Sequence, residues 1–181
     1  MRIAAVLALS LSAGAQASLT SSGPLTVYDS GQNLTWTKNA NLNEQMDWAT
    51  AVTWADSLDY ADYTDWVLPT IEQLTTQFST NLGVAAGSSI AVSHNASYAL
   101  FTNVQSFMYW SGSEFEPDPS QRAWIFNTTQ GLQDYSYKGT QFYAWAVRPG
   151  DVAAVPVPGA FWLFGSAMVG LMGLKRRGSI G

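Results

Sequence analysis

Carboxylates and aromatic rings are the side chains through which this chain could bind or react, because it contains no cysteine and only one histidine. The absence of cysteine excludes disulfide bonds, thiolate metal sites and thiol nucleophiles. A single histidine excludes a metal site built from several histidines. His94 lies in a polar stretch that has no nucleophile motif, so it does not indicate a Ser-His-Asp triad. We therefore expect no catalytic residues and look for binding chemistry among the acidic and aromatic side chains.

An acidic segment interrupted by prolines is the first candidate site. It contains Glu114, Glu116 and Asp118. Its Glu-Pro-Asp tripeptide resembles those with which sugar-binding C-type lectins hold calcium and sugar hydroxyls together. A cis proline in such a loop can direct two oxygen side chains at one cation. Calcium is therefore the one cofactor that the segment suggests, and the alternative is a surface loop made rigid by its prolines.

Aromatic residues accompany this acidic segment. Trp124 and Asn127 follow it, where the Trp-Asn-Asp motif of C-type lectins would fall, and aromatic faces stack on the C–H surfaces of sugars. The candidate ligand-binding residues are Trp110, Glu114, Glu116, Asp118, Trp124 and Asn127. Seven tryptophans lie between residues 36 and 145. We expect at least five of them to be mainly buried, because a domain without disulfides needs their large apolar area in its core.

A second acidic series places Asp56, Asp59, Asp62 and Asp65 at every third position. Calcium takes about six to eight oxygens converging on one point, and this series matches no EF-hand loop. The alternative is a solvated helix end followed by turn-forming aspartates. The sequence therefore leaves the presence of a metal site open.

The elements that must position these residues indicate an α+β fold, with helices early and strands late. Alternating apolar residues on either side of a Ser-Gly turn predict a hairpin near the start. The predicted strands are residues 25–29, 34–36, 98–102, 107–111, 123–126, 133–137 and 142–148.

Two helices are predicted between the hairpin and the later strands. Asp47 is the expected N-cap of the first, which extends to about Leu58 with one apolar stripe. Thr70 and Gln73 form a capping-box pattern that begins a short second helix. Residues 79–95 are small and polar, which is typical of a long loop.

The N-terminus has the pattern of an export signal. A basic start precedes the apolar run of residues 3–11, and Ala15 and Ala17 form an A-x-A cleavage pattern. We expect cleavage after Ala17. The protein would then be exported.

The C-terminus holds a second apolar block, residues 159–174, followed directly by a basic cluster. As a helix at about 1.5 Å per residue it spans roughly 24 Å, a little less than the ~30 Å hydrocarbon core. We expect a transmembrane helix with a basic stop over residues 159–177. The positive-inside rule then places residues 178–181 in the cytoplasm.

This tail resembles a PEP-CTERM sorting signal, which consists of a proline motif, a short membrane helix and a basic stop. The residues that carry the resemblance are Val155, Pro156, Val157, Pro158, Gly159, Lys175, Arg176 and Arg177. The resemblance implies recognition by an exosortase-type sorting protease in a Gram-negative-like bacterium that makes exopolysaccharide. The tail would then be a temporary anchor, and a plain single-pass anchor is the alternative.

The charge of the exported part limits its partners. It retains four basic residues against thirteen acidic ones, a formal charge of −9. An acidic surface repels anionic polymers, so we expect no nucleic-acid partner. Neutral glycans, cations and basic surfaces remain as possible partners.

Three segments together resemble the Lcl C-terminal domain family. They are Asp-x-Gly-x-x-Leu-Thr-Trp from residue 29, Asp-Trp-x-Leu-Pro-Thr from residue 65, and Tyr-Trp-Ser-Gly-Ser-Glu from residue 109 with a closing Ala-Val-Arg-Pro. The resemblance implies a C-type-lectin-like fold in which two helices pack on a twisted, mainly antiparallel sheet and long loops carry any binding. Members are exported surface proteins, and adhesion to glycans is suggested for some.

We therefore expect a non-catalytic exported protein that binds exopolysaccharide, a surface glycan or another surface component. It would be anchored in the inner membrane in transit and then lie at the cell surface or in the extracellular matrix. The alternatives are a structural matrix subunit without a ligand pocket, and a glycan hydrolase whose Glu114 and Glu116 lie about 5–10 Å apart across a cleft. The expected order is a signal peptide (1–17), the binding domain (18–150), a linker with the sorting motif (151–158), the membrane helix (159–177) and a cytoplasmic tail (178–181).

Overall fold

A computed structural model describes residues 18–152 and gives them the predicted α+β fold. The elements in chain order are β1 (Leu19–Ser21), β2 (Thr26–Asp29), β3 (Leu34–Thr37), α1 (Trp48–Asp56), α2 (Ile71–Thr75), β4 (Met108–Glu114), β5 (Arg122–Asn127), β6 (Leu132–Tyr137) and β7 (Val147–Pro149). A π-helical turn (Thr76–Asn81) continues α2, and a 3-10 helix (Ala96–Leu100) precedes β4.

The predicted terminal segments lie outside the described residues. These are the signal peptide with its cleavage site, the sorting motif, the membrane helix and the cytoplasmic tail. Within residues 18–152, no helix is both long enough and apolar enough to cross a bilayer.

The strands form two antiparallel sheets, not one. The first has the order β1-β2-β3-β7, and the second has the order β4-β5-β6. The predicted hairpin is the β2–β3 pair, in which Val27 lies opposite Trp36. Its turn is stabilised by the buried Asp29 carboxylate, which accepts hydrogen bonds from the backbone N–H groups of Gly31 and Gln32 at 2.9 and 3.1 Å. A short polar side chain that bonds the backbone two residues later is typical of a tight turn.

Both helices begin where the capping patterns predict. Asp47 is the N-cap of α1 and accepts from the backbone N–H of Thr50 at 2.8 Å. The pKa of Asp47 is lowered from its ordinary value by this hydrogen bond. Thr70 and Gln73 form the complete capping box of α2. Each helix therefore satisfies backbone donors at its start that would otherwise have no partner.

Three sequence predictions about the later elements differ from the structure. The predicted strand 98–102 is mostly a 3-10 helix, begun by the Asn95 side chain, which accepts from the Ser97 N–H. The predicted strand 142–148 is regular only at its end, in β7. The predicted loop 79–95 starts later than expected, because the π-helical turn extends to Asn81.

The segment before β7 is irregular because it bonds to several partners in turn. Phe142 pairs with Met46 ahead of α1. The next residue, Tyr143, exchanges backbone hydrogen bonds with β4. The Ala146 carbonyl then accepts from Thr37 in the other sheet. The segment thereby connects the two sheets, and a chain that changes partner every few residues cannot form one ladder.

Aromatic side chains fill the core. Trp145 is fully buried, and its ring centroid lies 4.9 Å from those of both Trp36 and Phe101. Its indole N–H donates to the Thr37 carbonyl at 2.8 Å. Full burial of a large apolar side chain contributes about 1.5–3 kcal/mol, so these rings account for a large share of the stability of a domain that has no cysteine.

None of the seven tryptophans between residues 36 and 145 is exposed, which agrees with the expectation that at least five of them are mainly buried. Four are at most 1% exposed, namely Trp36, Trp66, Trp110 and Trp145. The other three are half-buried, namely Trp48, Trp54 and Trp124.

Candidate functional site

An exposed group of aromatic rings lies at one end of the β4-β5-β6 sheet. The register pairs Trp124 with Tyr135 and Arg122 with Tyr137, which places these four side chains on one face of the sheet. Phe115, in the loop after β4, covers the same face. We call these five residues, Phe115, Arg122, Trp124, Tyr135 and Tyr137, the aromatic patch.

The rings of the aromatic patch are packed against one another although solvent reaches them. Phe115 and Tyr135 are stacked with centroids 4.0 Å apart, and Trp124 meets the edge of Phe115 at 5.0 Å. Tyr135 and Tyr137 are 42% and 57% exposed. The patch thus presents ring faces whose orientation is already fixed before any ligand arrives, which lowers the entropy cost of binding.

Arg122 fixes the tyrosines. Its guanidinium lies 4.5 Å from the ring centroid of Tyr137 and 5.3 Å from that of Tyr135. One of its terminal nitrogens donates to the Tyr137 hydroxyl at 2.8 Å. This hydrogen bond is the main reason why the pKa of Arg122 is raised above its usual range. Cation–π contact and hydrogen bond together favour a single arrangement of the patch.

The acidic loop beside the patch does not gather its carboxylates on one point. Asp118 lies 3.6 Å from the Nε of Arg122, and Glu114 forms an ion pair with Lys138 at 2.5 Å. Glu116 is exposed and forms no ion pair among the described residues, and the peptide bond before Pro117 is trans. The cis arrangement expected for a lectin-like calcium site is therefore absent from this loop, and the loop has the form of the alternative, a proline-stiffened surface turn.

Two of the predicted ligand-binding residues serve the interior instead. Trp110 is fully buried, and its indole N–H donates to the Met46 carbonyl at 2.9 Å. Asn127 is 5% exposed, and its side-chain oxygen accepts from the backbone and hydroxyl of Thr129 in the turn before β6. Neither side chain is available to a ligand. Of the predicted set, the structure brings Trp124 and Asp118 to the patch, with Glu114 at the end of β4 and Glu116 on the loop that follows.

The aspartate series before α2 does not form a cluster. Asp65 is bound on both oxygens by Arg148, at 2.6 and 2.9 Å, and this pairing lowers the pKa of Asp65 below its ordinary value. Asp56, Asp59 and Asp62 are exposed. Over residues 18–152, no three histidine or acidic side chains lie close enough together to hold a metal ion.

The His94 side chain is held by contacts with its own loop and with the 3-10 helix. Its Nδ1 lies 2.7 Å from the Ile90 carbonyl, and its ring stacks on Tyr98 with centroids 4.1 Å apart. This contact orders the loop that precedes the 3-10 helix.

Four patch residues are not among those predicted from the sequence: Phe115, Arg122, Tyr135 and Tyr137. The signal that could have found them is the alternation within the two predicted strands 123–126 and 133–137. Assigning faces to these strands would have placed Trp124 beside Tyr135 once the turn between them was recognised.

The motif segments contact one another, which explains their residue types. The Gly112 N–H donates to the Pro69 carbonyl at 2.8 Å, and a Cβ on this glycine would lie 3.2 Å from the Leu68 carbonyl. The Ser113 hydroxyl accepts from the N–H of Ile71, the first residue of α2, at 3.1 Å. These contacts build the junction between α2 and β4.

A family model described as the Lcl C-terminal domain matches residues 25–148. No curated protein matches the chain. The matched range includes both sheets except β1 and the end of β7, and it includes the whole aromatic patch.

Proposed function

The chain belongs to the Lcl C-terminal domain family, and from this premise we propose that residues 18–150 are a non-catalytic, C-type-lectin-like binding module that attaches to neutral polysaccharide. The observation that carries the proposal is the aromatic patch. Its exposed rings are large, apolar and held in place, which is the property that a surface needs to stack on the C–H face of a sugar ring. Exposed apolar patches that are bounded by polar residues often mark binding sites.

The charges of the domain favour a neutral ligand. Three of the four basic side chains between residues 18 and 152 are in ion pairs, namely those of Arg122, Lys138 and Arg148. Most of the acidic side chains in the same range form no ion pair with a basic side chain, so the surface potential is negative. An anionic polysaccharide would be repelled, particularly at low ionic strength.

The carboxylates near the patch support a binding role over hydrolysis. A glycosidase requires a carboxylic acid with a raised pKa and a second carboxylate facing it across the substrate. Glu114 forms an ion pair with Lys138, and Glu116 lies exposed on a loop. Both carboxylates of the pair nominated from the sequence are exposed, which supports a binding role over hydrolysis.

We further propose that the module is delivered by the PEP-CTERM route. The signal pattern ending at Ala17 and the tail from Val155 to Arg177 support export, sorting by an exosortase-type protease, and a final position at the cell surface or in the extracellular matrix. Intact-mass measurement of the protein recovered from its host tests this. We expect loss of residues 1–17 and of the basic tail, whereas a mass equal to the full chain would contradict the proposal.

Glycan-array binding of the full chain tests the proposed function. We expect binding to neutral polysaccharides. The double variant Trp124→Ala/Tyr135→Ala should lose at least about tenfold in affinity, as expected when anchoring aromatic residues are truncated. Leu132→Ala is the matched control, because Leu132 is equally exposed on the same strand but lies on its opposite face. Equal binding by the double variant and the wild type would refute the role of the patch.

A further inference from the structure

A polar cleft lies outside the aromatic patch, between the segment that leads into α1 and the segment that follows β6. Its volume is about 490 Å³. It is lined by Asn41, Glu44, Gln45, Gln141 and Tyr143. Small-molecule sites in proteins are concave and about 300–1,000 Å³ in volume, so the cleft has the size of a site for one sugar ring or two.

The two walls of the cleft are held at a fixed separation. Met46 and Phe142 exchange backbone hydrogen bonds of 2.9 and 3.0 Å. Gln45 and Gln141 immediately precede these paired residues, so one amide side chain projects from each wall. Tyr143 is fixed in turn, because its backbone N–H donates to Met108 and its carbonyl accepts from Trp110 on β4. The cleft is therefore a preformed feature of the fold.

The side chains that line the cleft have unused hydrogen-bonding capacity. Within residues 18–152, the side chains of Glu44, Gln45, Gln141 and Tyr143 form no hydrogen bond or ion pair with the protein. The side-chain oxygen of Asn41 is buried and also has no partner. Buried polar atoms in native proteins are nearly always paired, and one that is not requires an explanation. A ligand or water in the cleft that donates a hydrogen bond to the Asn41 oxygen would supply the missing partner.

The chemistry of this lining selects a class of ligand. An amide offers both donors and acceptors, a carboxylate accepts, and a phenol does both. Neighbouring hydroxyl groups on a sugar ring are complementary to this mixture, because each hydroxyl also donates and accepts. The single charged residue of the lining is Glu44, which disfavours anions. We propose that the cleft is a second binding site, separate from the aromatic patch, that takes one neutral, hydroxyl-rich sugar residue.

Side-chain amide NMR signals of the full chain provide the test. The probes are the methyl glycosides of glucose, galactose, mannose and N-acetylglucosamine, titrated one at a time. We expect at least one of them to shift the NH₂ signals of Gln45 and Gln141 in a saturable way. Gln141→Ala should weaken that binding about fivefold, which is the loss of roughly one hydrogen bond. Gln133→Ala is the control, because Gln133 is an exposed amide on β6 outside the cleft.

The variants keep the test decisive. Gln141 is exposed and its side chain makes no hydrogen bond within the described residues, so Gln141→Ala should leave the fold intact. Tyr143→Phe removes only a hydroxyl and should also leave the fold intact, so it is a second variant for the same binding measurement. If no probe gives saturable shifts at the cleft, or if Gln141→Ala binds like the wild type, the proposal is overturned. Shifts confined to the indole N–H signal of Trp124 would overturn it while leaving the aromatic patch in place. Shifts produced by calcium chloride and not by any glycoside would overturn it in favour of a cation site.

Discussion

At the scale of single residues, Tyr135 and Arg122 determine the character of the proposed binding surface. Tyr135 supplies an exposed ring that is stacked on Phe115 and edge-on to Trp124. Arg122 holds this ring and that of Tyr137 from one side. The positive charge does not create an anion site, because Asp118 lies beside it. The patch is therefore apolar and nearly neutral in the middle of an acidic surface.

Part of this surface can be predicted from the sequence. Trp124 and Asp118 are predicted binding residues and lie at the patch, but Trp110 and Asn127 are predicted as well and are interior. Residue type alone cannot separate them, because tryptophan serves equally well as a core residue and as a binding residue. What separates Trp124 from Trp110 is the strand and face on which each lies, and this depends on long-range packing.

Truncation of Tyr135 alone tests the patch at this scale. Tyr135→Ala removes an exposed ring that packs against both Phe115 and Trp124, so we expect about a threefold to tenfold loss of affinity for a neutral polysaccharide, measured by calorimetry. Tyr135→Phe should bind almost as well as the wild type, because the hydroxyl makes no hydrogen bond among the described residues. A large loss with phenylalanine would show that polar recognition, and not stacking, is the basis of binding.

The Asp65–Arg148 pair gives a prediction about pH. Because the pairing lowers the pKa of Asp65 below its ordinary value of 3.8, the carboxylate stabilises the fold above that value, and this stability is lost as the pH falls through the lowered pKa. The Asp65 side chain is half exposed, so we expect Asp65→Asn to cost no more than about 1 kcal/mol at neutral pH. Urea unfolding from pH 7 to pH 2 should show the difference between wild type and variant shrinking below about pH 4. A difference that is constant with pH would contradict the ion pair.

At the scale of elements, the local signals are reliable where the chain makes local contacts. The β2–β3 hairpin and the caps of α1 and α2 are predictable because each depends on residues within a few positions of one another. The segment 142–148 is not, since its backbone bonds to residues near the start of the domain, Thr37 and Met46, as well as to β4. Alternation of apolar residues indicates an extended segment but does not indicate whether one partner strand runs along its whole length.

The capping box of α2 tests the helix start. Thr70→Ala removes the acceptor for the Gln73 N–H, and we expect it to lower the free energy of unfolding by about 1 kcal/mol. Thr70→Ser retains the hydroxyl and should be close to the wild type. Denaturant unfolding measures both variants, and equal stability of all three proteins would show that the cap contributes nothing.

The turn between β5 and β6 tests the element that presents the patch. Gly131 has a φ of +64°, and a Cβ there would clash with the Ala85 carbonyl oxygen. We expect Gly131→Ala to destabilise the domain by more than about 2 kcal/mol, through a strained backbone and this steric clash. Gly139→Ala is the matched control, because a Cβ at that turn would meet nothing within 4 Å. A similar melting temperature for the two variants would contradict the described turn.

At the scale of the whole molecule, the fold separates stability from binding. The buried rings around Trp145 and the segment that joins the two sheets hold the domain together without a disulfide. The aromatic patch lies at one end of one sheet, and its residues are not part of that core. The three motif segments were enough to predict the family. They did not predict the proposed binding surface. The motif residues Pro69, Gly112 and Ser113 instead form the junction of α2 and β4.

The acidic surface predicts how binding depends on salt. A neutral ligand held by stacking should keep its affinity within about twofold when ionic strength rises, because no charge on the ligand is screened. An anionic polysaccharide should bind weakly or not at all at low salt. Calorimetry at two salt concentrations distinguishes these cases, because affinity that rises steeply with salt would indicate an anionic ligand and affinity that falls steeply would indicate a cationic one.

The most direct test of the binding account is the indole N–H spectrum of the full chain, titrated with the neutral glycan that binds best on the array. Contact with the aromatic patch predicts a saturable shift of the Trp124 signal, with the signals of the buried Trp36, Trp110 and Trp145 nearly unchanged. Addition of a calcium chelator should not alter the result. Saturable binding that leaves the Trp124 signal in place would contradict the account.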